Sequence, residues 1–355
     1  MAIIGYGLAG RVFHAPLIAA TRGLQVTSIV TSSPERQAQV SADLPGARIL
    51  SSPERLWERD DHDLVVIASP NDTHVPLASA AIDHGLPVVV DKPLAVSSAR
   101  AEQLVARAQR AGVLLTVFQN RRWDSDHLTL QRLLEGGHLG SVFRYESRFE
   151  RWRPSPKPGS WRETLPPGEG GGLLLDLGSH LVDQALTLFG AASHVYAEVQ
   201  ARRGLPTDDD VFIALHHFSG TISHLRASAV TGAPGPRLRV LGTDAAFVLT
   251  RLDSQEDRLR DGARPDSVPD WGVEPEAHRG RLVTGDASVP VPGVRGDWPR
   301  FYNLLAAALH EGGPPPVDPA DAVAALRVIE EARESATTAT VRAMGSSAAR
   351  ARSPE

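Results

Sequence analysis

The feature that most constrains this chain of 355 residues stands within its first ten. A short apolar run, Ala2-Ile3-Ile4, leads straight into Gly5-Tyr6-Gly7-Leu8-Ala9-Gly10. A G-x-G-x-x-G placed between a strand and a helix is a tight turn whose bare backbone lets a pyrophosphate approach the helix N-terminus. Taken alone, the same pattern also describes an ordinary strand-to-helix loop, so the residues that follow have to decide.

They continue the pattern. Residues 26–30, 49–50, 64–68, 88–90 and 114–118 read as strands, and 34–40, 75–84 and 97–112 as helices, the second stopping at Gly85. The uninterrupted apolar runs Leu64-Val65-Val66-Ile67-Ala68 and Val88-Val89-Val90 suit strands covered on both faces. Alternation of this kind implies a doubly wound parallel sheet with right-handed crossovers, an α/β fold. Only about four residues precede the first turn, short for a strand.

After residue 120 the texture changes. Residues 143–152 alternate like a strand with one exposed face, 154–172 form a Pro- and Gly-rich loop, and 173–189 a helix. Runs at 211–215, 221–229 and 238–241 suggest an antiparallel sheet. Residues 251–297 are polar and carry no clear element, and helices near 298–310 and 318–336 follow. The expected division is a doubly wound domain over 1–120, a second α/β domain over 121–341, and a disordered tail over 342–355, small, polar and basic.

Composition removes several alternatives. A net charge of −5 gives no electrostatic reason to bind nucleic acid or an anionic membrane. With no cysteine there is no disulfide, no thiolate metal site and no cysteine nucleophile. No run of 18 apolar residues offers a spanning helix. The first twenty residues lack the basic start of a secretion signal, so a cytoplasmic protein is expected.

A dinucleotide site that prefers NAD usually has a carboxylate after its second strand, on the ribose 2′-hydroxyl. Here that place holds Thr31-Ser32-Ser33, with no acid before Glu35 and with Arg36 a turn further on. Ser32, Ser33 and Arg36 suit a 2′-phosphate, so NADP is favoured over NAD. Ser33-Pro34 also reads as a helix cap with Pro in the first turn, and both readings hold together.

The strand ends carry the candidate chemistry, because ligands of open α/β sheets bind outside the carboxyl ends of the strands. The fourth strand runs into Ser69-Pro70-Asn71-Asp72-Thr73-His74, the fifth into Asp91-Lys92-Pro93, and the sixth into Gln119-Asn120-Arg121-Arg122-Trp123-Asp124. A lysine at such an edge can hold a substrate hydroxyl and share developing charge. The paired arginines read more readily as salt-bridged residues than as an anion site. In the second part, Gly170-Gly171-Gly172 precedes Asp176, His180 and Asp183, spaced i, i+4 and i+7 on one helical face. Histidine is the natural proton acceptor near neutral pH. The plain alternative is a solvated polar stripe. No third ligand accompanies His180 and Asp183, so no metal is expected.

These motifs, in this order, resemble the Gfo/Idh/MocA oxidoreductases. The resemblance runs from Gly5 to about residue 340, through Phe13-His14-Ala15-Pro16-Leu17, Pro70-Asn71-Asp72-Thr73-His74, Asp91-Lys92-Pro93, Asn120-Arg121-Arg122-Trp123-Asp124 and the stretch from Asp176 to Asp183. Within the family the chain is most similar to NADP-dependent scyllo-inositol dehydrogenases, through residues 120–126, Arg151-Trp152-Arg153 and Trp161-Arg162-Glu163. The resemblance implies a Rossmann domain followed by an α/β domain with a large open, mostly antiparallel sheet, and a homodimer or homotetramer. It implies Lys92, Asp176 and His180 as catalytic residues, with Asn120, Arg153 and Trp161 joining them at the substrate. It implies a cofactor site of Gly5, Gly7, Leu8, Ala9, Gly10, Thr31, Ser32, Ser33, Arg36, Ser69, Pro70, Asn71, His74, Asp91 and Lys92. Asp91 replaces the glutamate more usual in the family.

The activity so implied is hydride transfer between a nicotinamide cofactor, NADP or NAD, and a secondary alcohol of a cyclic polyol or sugar. A non-catalytic NADP-binding regulator and an NAD-dependent glycosidase on a related fold are the alternatives. Retention of both Lys92 and His180 argues against the regulator.

Overall fold

The structure, a computed structural model, describes residues 1–157 and 159–345. They form two compact units. The first comprises 1–120, 254–271 and 297–323, and the second 121–253, 272–296 and the described residues from 324 onward.

The first unit is built on a six-stranded parallel sheet, β1 (Ala2–Ile4), β2 (Ser28–Val30), β3 (Arg48–Leu50), β4 (Val65–Ile67), β5 (Val88–Asp91) and β6 (Leu115–Phe118), in the order β3-β2-β1-β4-β5-β6. The strands read as doubly buried are so: Val65, Val66, Ile67, Val88, Val89 and Val90 have no exposed surface. Helix Ser98–Ala111 shows how local sequence sets the crossovers. Ser97 accepts from the Arg100 N–H at 3.4 Å, Ala101, Leu104 and Ala108 form the buried stripe, and Gly112 closes the helix at φ +65°. Burying Leu104 alone contributes about 2 kcal/mol. The helix after the glycine turn is unusual: Ala9–His14 is π-helical, the Ala15 N–H reaching Gly10 O, before Ala15–Ala19 continues as α.

The parallel sheet is complete by residue 118, but the compact unit does not end at residue 120. Residues 254–271 and 297–323, expected in the second domain, belong to the first. The reason is the last strand. Phe118 on β6 packs edge-on against Phe301 with ring centres 5.0 Å apart, and Thr116 Oγ1 donates to Val317 O at 2.9 Å. Helix Pro299–Glu311, with Phe301, Tyr302 and Leu305 wholly buried, supplies apolar cover for this sheet.

The second unit holds nine strands: β7 (Val142–Glu150), β8 (Ala192–Gln200), β9 (Asp210–His217), β10 (Ile222–Ser228), β11 (Leu238–Gly242), β12 (Ala246–Leu249), β13 (Arg281–Thr284), β14 (Ala287–Pro290) and β15 (Arg342–Ala343). Their order is β14-β13-β12-β11-β7-β10-β9-β8-β15, antiparallel except where β7 and β10 run side by side. One face is buried: Val211, Ile213 and Leu215 alternate inward on β9, as do Tyr145, Ser147 and Phe149 on β7. Three expectations change here. Residues 154–172 contain a helical turn at Trp161–Thr164. Residues 173–189 break at Leu177 into helices Leu173–Asp176 and Gly178–Phe189. Arg342–Ala343, expected in a disordered tail, pairs with β8, and the remainder of that tail, 346–355, lies outside the described residues. Among the described residues no helix is long and apolar enough to cross a membrane.

Candidate active site

The cofactor residues expected in the first unit follow the carboxyl ends of β1, β2, β4 and β5, one edge of the parallel sheet. The three glycines of the turn have different duties. Gly5 has φ +98°, and a Cβ there would stand 2.6 Å from the Ala68 carbonyl oxygen. A Cβ on Gly10 would overlap the Gly5 carbonyl oxygen. Around Gly7 the nearest group to such a Cβ is the Arg36 guanidinium, 3.8 Å away. The outer glycines therefore let backbone pass backbone, and the middle one leaves room beside a cation. That open cradle fits a dinucleotide phosphate. Tyr6 and Arg11 fasten the turn to helix Pro34–Asp43: the Tyr6 hydroxyl donates to Asp43 Oδ2 at 3.2 Å, and Arg11 Nε reaches the same oxygen at 2.6 Å. The Arg11 guanidinium holds the Asp43 carboxyl below the usual range.

After β2 the Ser33 hydroxyl caps helix Pro34–Asp43, accepting from the Arg36 N–H at 3.4 Å, while Ser32 is exposed and Thr31 buried. Arg36 is exposed and has no carboxylate partner among the described residues. After β4, the Ser69 and Thr73 hydroxyls lie 2.6 Å apart and Asn71 is buried. His74 differs from its expected role. Its ring is buried, with Nδ1 2.8 Å from the Pro93 carbonyl and Nε2 3.0 Å from the Ser69 carbonyl. It ties the loop bearing Asn71 to the loop bearing Lys92 rather than presenting a nitrogen to a ligand. Asp91 accepts from the Lys92 N–H at 2.8 Å, Lys92 is half-buried, and the Lys92–Pro93 peptide is cis. Behind β6, His14 Nδ1 meets the Tyr302 hydroxyl at 2.6 Å, and burial pushes the imidazole down to about 4.

In the second unit the break at Leu177 leaves Asp176 at the end of one helix and His180 in the first turn of the next. Gly172, at φ +93°, makes this entry possible, since a Cβ there would overlap the Asp208 carboxylate. Asp208 Oδ2 accepts from the Leu174 N–H at 2.6 Å and so caps helix Leu173–Asp176. Burial raises the Asp208 pKa above the ordinary carboxylate value. Asp176 is partly exposed, with Arg162 Nε 3.5 Å from its Oδ1, and the Arg162 guanidinium stacks 4.3 Å from the Trp161 ring centre. The structure thus brings expected Trp161 and Asp176 together through an arginine. His180 is 5% exposed and meets the Phe149 ring at 6.4 Å between centres. The alternative of a solvated polar stripe fits Asp176 alone, since His180 and Asp183 are buried. Asp183 is buried and grips Arg122 with two bonds of 2.9 and 2.6 Å, while Arg121 pairs with Asp124 at 3.2 Å. Both arginines are ion-paired, as their sequence suggested. The Arg153 side chain is exposed, and its backbone N–H donates to Ala229 O at 2.7 Å. Asn120 is buried at the close of the first unit's leading segment.

Sequence reasoning passed over the buried polar layer around the histidine helix. Arg237, Asp126 and Gln184 are each at most 3% exposed. Arg237 precedes β11 on the same alternation phase as exposed Arg239, so strand periodicity gave no signal of its burial.

Family models agree with this architecture. Residues 1–119 match the oxidoreductase family model with an NAD-binding Rossmann fold, and residues 127–248 match the GFO/IDH/MocA C-terminal domain. The uncharacterized oxidoreductase YdgJ of Escherichia coli (strain K12) is 40% identical over 94% of this chain and 95% of its own. The scyllo-inositol 2-dehydrogenase (NADP(+)) IolW of Bacillus subtilis (strain 168) is 34% identical over 94% and 92%. Among solved structures, the yvaA protein of Bacillus subtilis superposes with a TM-score of 0.90 at 32% identity, covering 97% of each chain. The YPO2259 protein of Yersinia pestis gives 0.88 at 36%, covering 97% of this chain and 96% of its own.

Proposed function

This chain belongs to the Gfo/Idh/MocA oxidoreductase family, and from that premise we propose that it oxidises, reversibly, a secondary alcohol of a cyclic polyol or sugar with NADP as the preferred cofactor, a scyllo-inositol-type substrate being favoured. The observation that carries the reading is the position of Lys92. It follows β5 on the same sheet edge as the glycine turn after β1, where a parallel sheet binds its ligands. The bound dinucleotide would supply the two-electron acceptor at its nicotinamide ring.

The protein's own groups then have distinct work. Gly5, Gly7, Leu8, Ala9 and Gly10 would hold the pyrophosphate, and Arg36 with Ser32 and Ser33 the 2′-phosphate. Asn71 and Asp91 would hold the ribose by the nicotinamide. The absence of a carboxylate after β2, the guanidinium beside Gly7 and the NADP in the name of the Bacillus subtilis relative support NADP over NAD. Lys92 would donate from its ammonium to the substrate oxygen and share the charge that develops there. His180 would accept the hydroxyl proton at a ring nitrogen. Asp176, with Arg162 beside it, would accept from a neighbouring substrate hydroxyl, and Asn120, Trp161 and Arg153 would line the polyol.

The test is a spectrophotometric assay of NADP and NAD reduction across inositol isomers and common sugars, with His180→Ala alongside. Turnover with at least one cyclic polyol is expected, and the variant should lose about 10²–10⁴ in kcat. Wild-type turnover in His180→Ala would falsify the assignment of the base. Silence across the whole panel, with NADP bound, would sink the enzymatic reading.

A further inference from the structure

We propose that Arg237 is a positioning residue for His180, acting through Gln184 and Phe149. The proposal rests on the reading of His180 as the base. Arg237 is 3% exposed, and its guanidinium addresses three different elements. Nη2 donates to Gln184 Oε1 at 2.9 Å on helix Gly178–Phe189, and Nη1 donates to the Ser147 hydroxyl on β7. Nε lies 3.0 Å from Asp126 Oδ2 on helix Ser125–Glu135, an ion pair whose N–H line misses the oxygen. The flat of the guanidinium also covers the Phe149 ring, 4.4 Å from its centre.

Two of these contacts, those to Gln184 and Phe149, end one step from His180. Gln184 stands one helical turn after His180 on the same face, so a grip on Gln184 fixes the rotation of the helix about its axis. The second end of Gln184 is held as well, its Nε2 donating to Arg121 O at 3.0 Å. Phe149 is the ring against which the His180 imidazole rests, and Arg121 bears on the same ring at 5.0 Å. Helix and ring therefore share one planar cation, Arg237. A buried ion pair with imperfect geometry adds little to stability, because desolvation offsets attraction. Its use here is to define where an imidazole sits. A lysine cannot reproduce this fork, since it has no planar array of donors.

The test reads the histidine itself. In the full-length, substrate-free protein with labelled histidine rings, the His180 signal is identified by its loss in His180→Ala. Arg237→Met should shift and broaden that signal while leaving His14 and His62 of the first unit in place. Phe149→Leu, which leaves the ion pair intact, should do the same and serves if Arg237→Met does not fold. Kinetics give a second readout. Arg237→Met should lower kcat about 10- to 100-fold with the KM for NADP unchanged, and Arg237→Lys nearly as far. Placed in the His180→Ala background, Arg237→Met should change the residual rate less than twofold, because nothing remains to be positioned. An unmoved His180 signal in folded Arg237→Met and Phe149→Leu overturns the proposal. So does an equal loss of rate in both backgrounds, which is general damage. Normal turnover in His180→Ala alone would instead overturn the base assignment and leave the ring measurement standing.

Discussion

Alanine at Gly7 and alanine at Gly10 should behave in opposite ways, although both positions belong to one six-residue motif. At Gly10 the new Cβ meets the Gly5 carbonyl oxygen, a backbone atom that cannot turn aside. The strand-turn-helix entry must shift, and Gly10→Ala should destabilise the first unit by several kcal/mol, in the upper range for single substitutions. At Gly7 the nearest obstacle is the flexible end of Arg36 at 3.8 Å, and the backbone there is not left-handed. Gly7→Ala should fold normally and gain about 0.4–1 kcal/mol from the reduced freedom of the unfolded chain. The cost appears only with ligand. On the proposed reading the added methyl would take the space of the pyrophosphate, so NADP affinity should fall at least tenfold. At a cofactor concentration about 100 times the wild-type Kd, ligand stabilisation is about 2.7 kcal/mol; a tenfold weaker site retains about 1.4 kcal/mol. The assay is thermal unfolding of wild type and both variants, with and without NADP, together with a direct Kd. Gly7→Ala that binds NADP like the wild type would refute the cradle. So would an apo Gly7→Ala protein as unstable as Gly10→Ala.

Three further outcomes follow from particular residues. Arg36→Ala should weaken NADP about tenfold or more while leaving NAD within twofold, because only NADP carries the 2′-phosphate that a guanidinium can pair; equal losses for both cofactors in direct binding would place Arg36 elsewhere. Burial holds His14 at about 4 and His127 at about 3, so the unfolded chain takes up protons below about pH 6.5 that the folded chain refuses. Their stabilising contribution is complete above that pH and is lost as the pH falls toward the folded values, about 2 kcal/mol each by about pH 5; urea midpoints that do not change between about pH 7.5 and 5 would contradict this. Removing Arg122 as Arg122→Met strands the buried Asp183 carboxylate and should cost about 3–5 kcal/mol of the second unit's stability in denaturant titrations, whereas a loss below about 1 kcal/mol would show the pair to be dispensable.

What short-range chemistry controls is legible in the sequence. The apolar runs at 64–68 and 88–90, the glycine turn, the Ser33-Pro34 cap and the Gly85 stop each act within a few residues, and each appears where the sequence placed it. The helix over 173–189 was also visible, but not its break. Leu177 carries no breaker signal, and the entry to the helix is set from outside by Asp208, a residue 34 positions away. The same limit concealed the work of the buried polar groups. Asp183 looked like one of three polar residues on a stripe, until Arg122 reached it from 61 positions before.

From its residues alone the chain declares a parallel dinucleotide sheet and an antiparallel partner, and offers Lys92, Asp176, His180 and Asp183 as polar candidates, because turn geometry, periodicity and residue type are local properties; the family resemblance singled out Lys92, Asp176 and His180 among them. Tertiary structure decided the rest. It returned residues 254–271 and 297–323 to the first unit, set Tyr302 on His14 across 288 positions, and buried Arg237 against Gln184. These outcomes depend on which surfaces remain uncovered once the sheets form, and on where a buried polar group finds its partner. Both are properties of packed space and have no periodic trace along the chain.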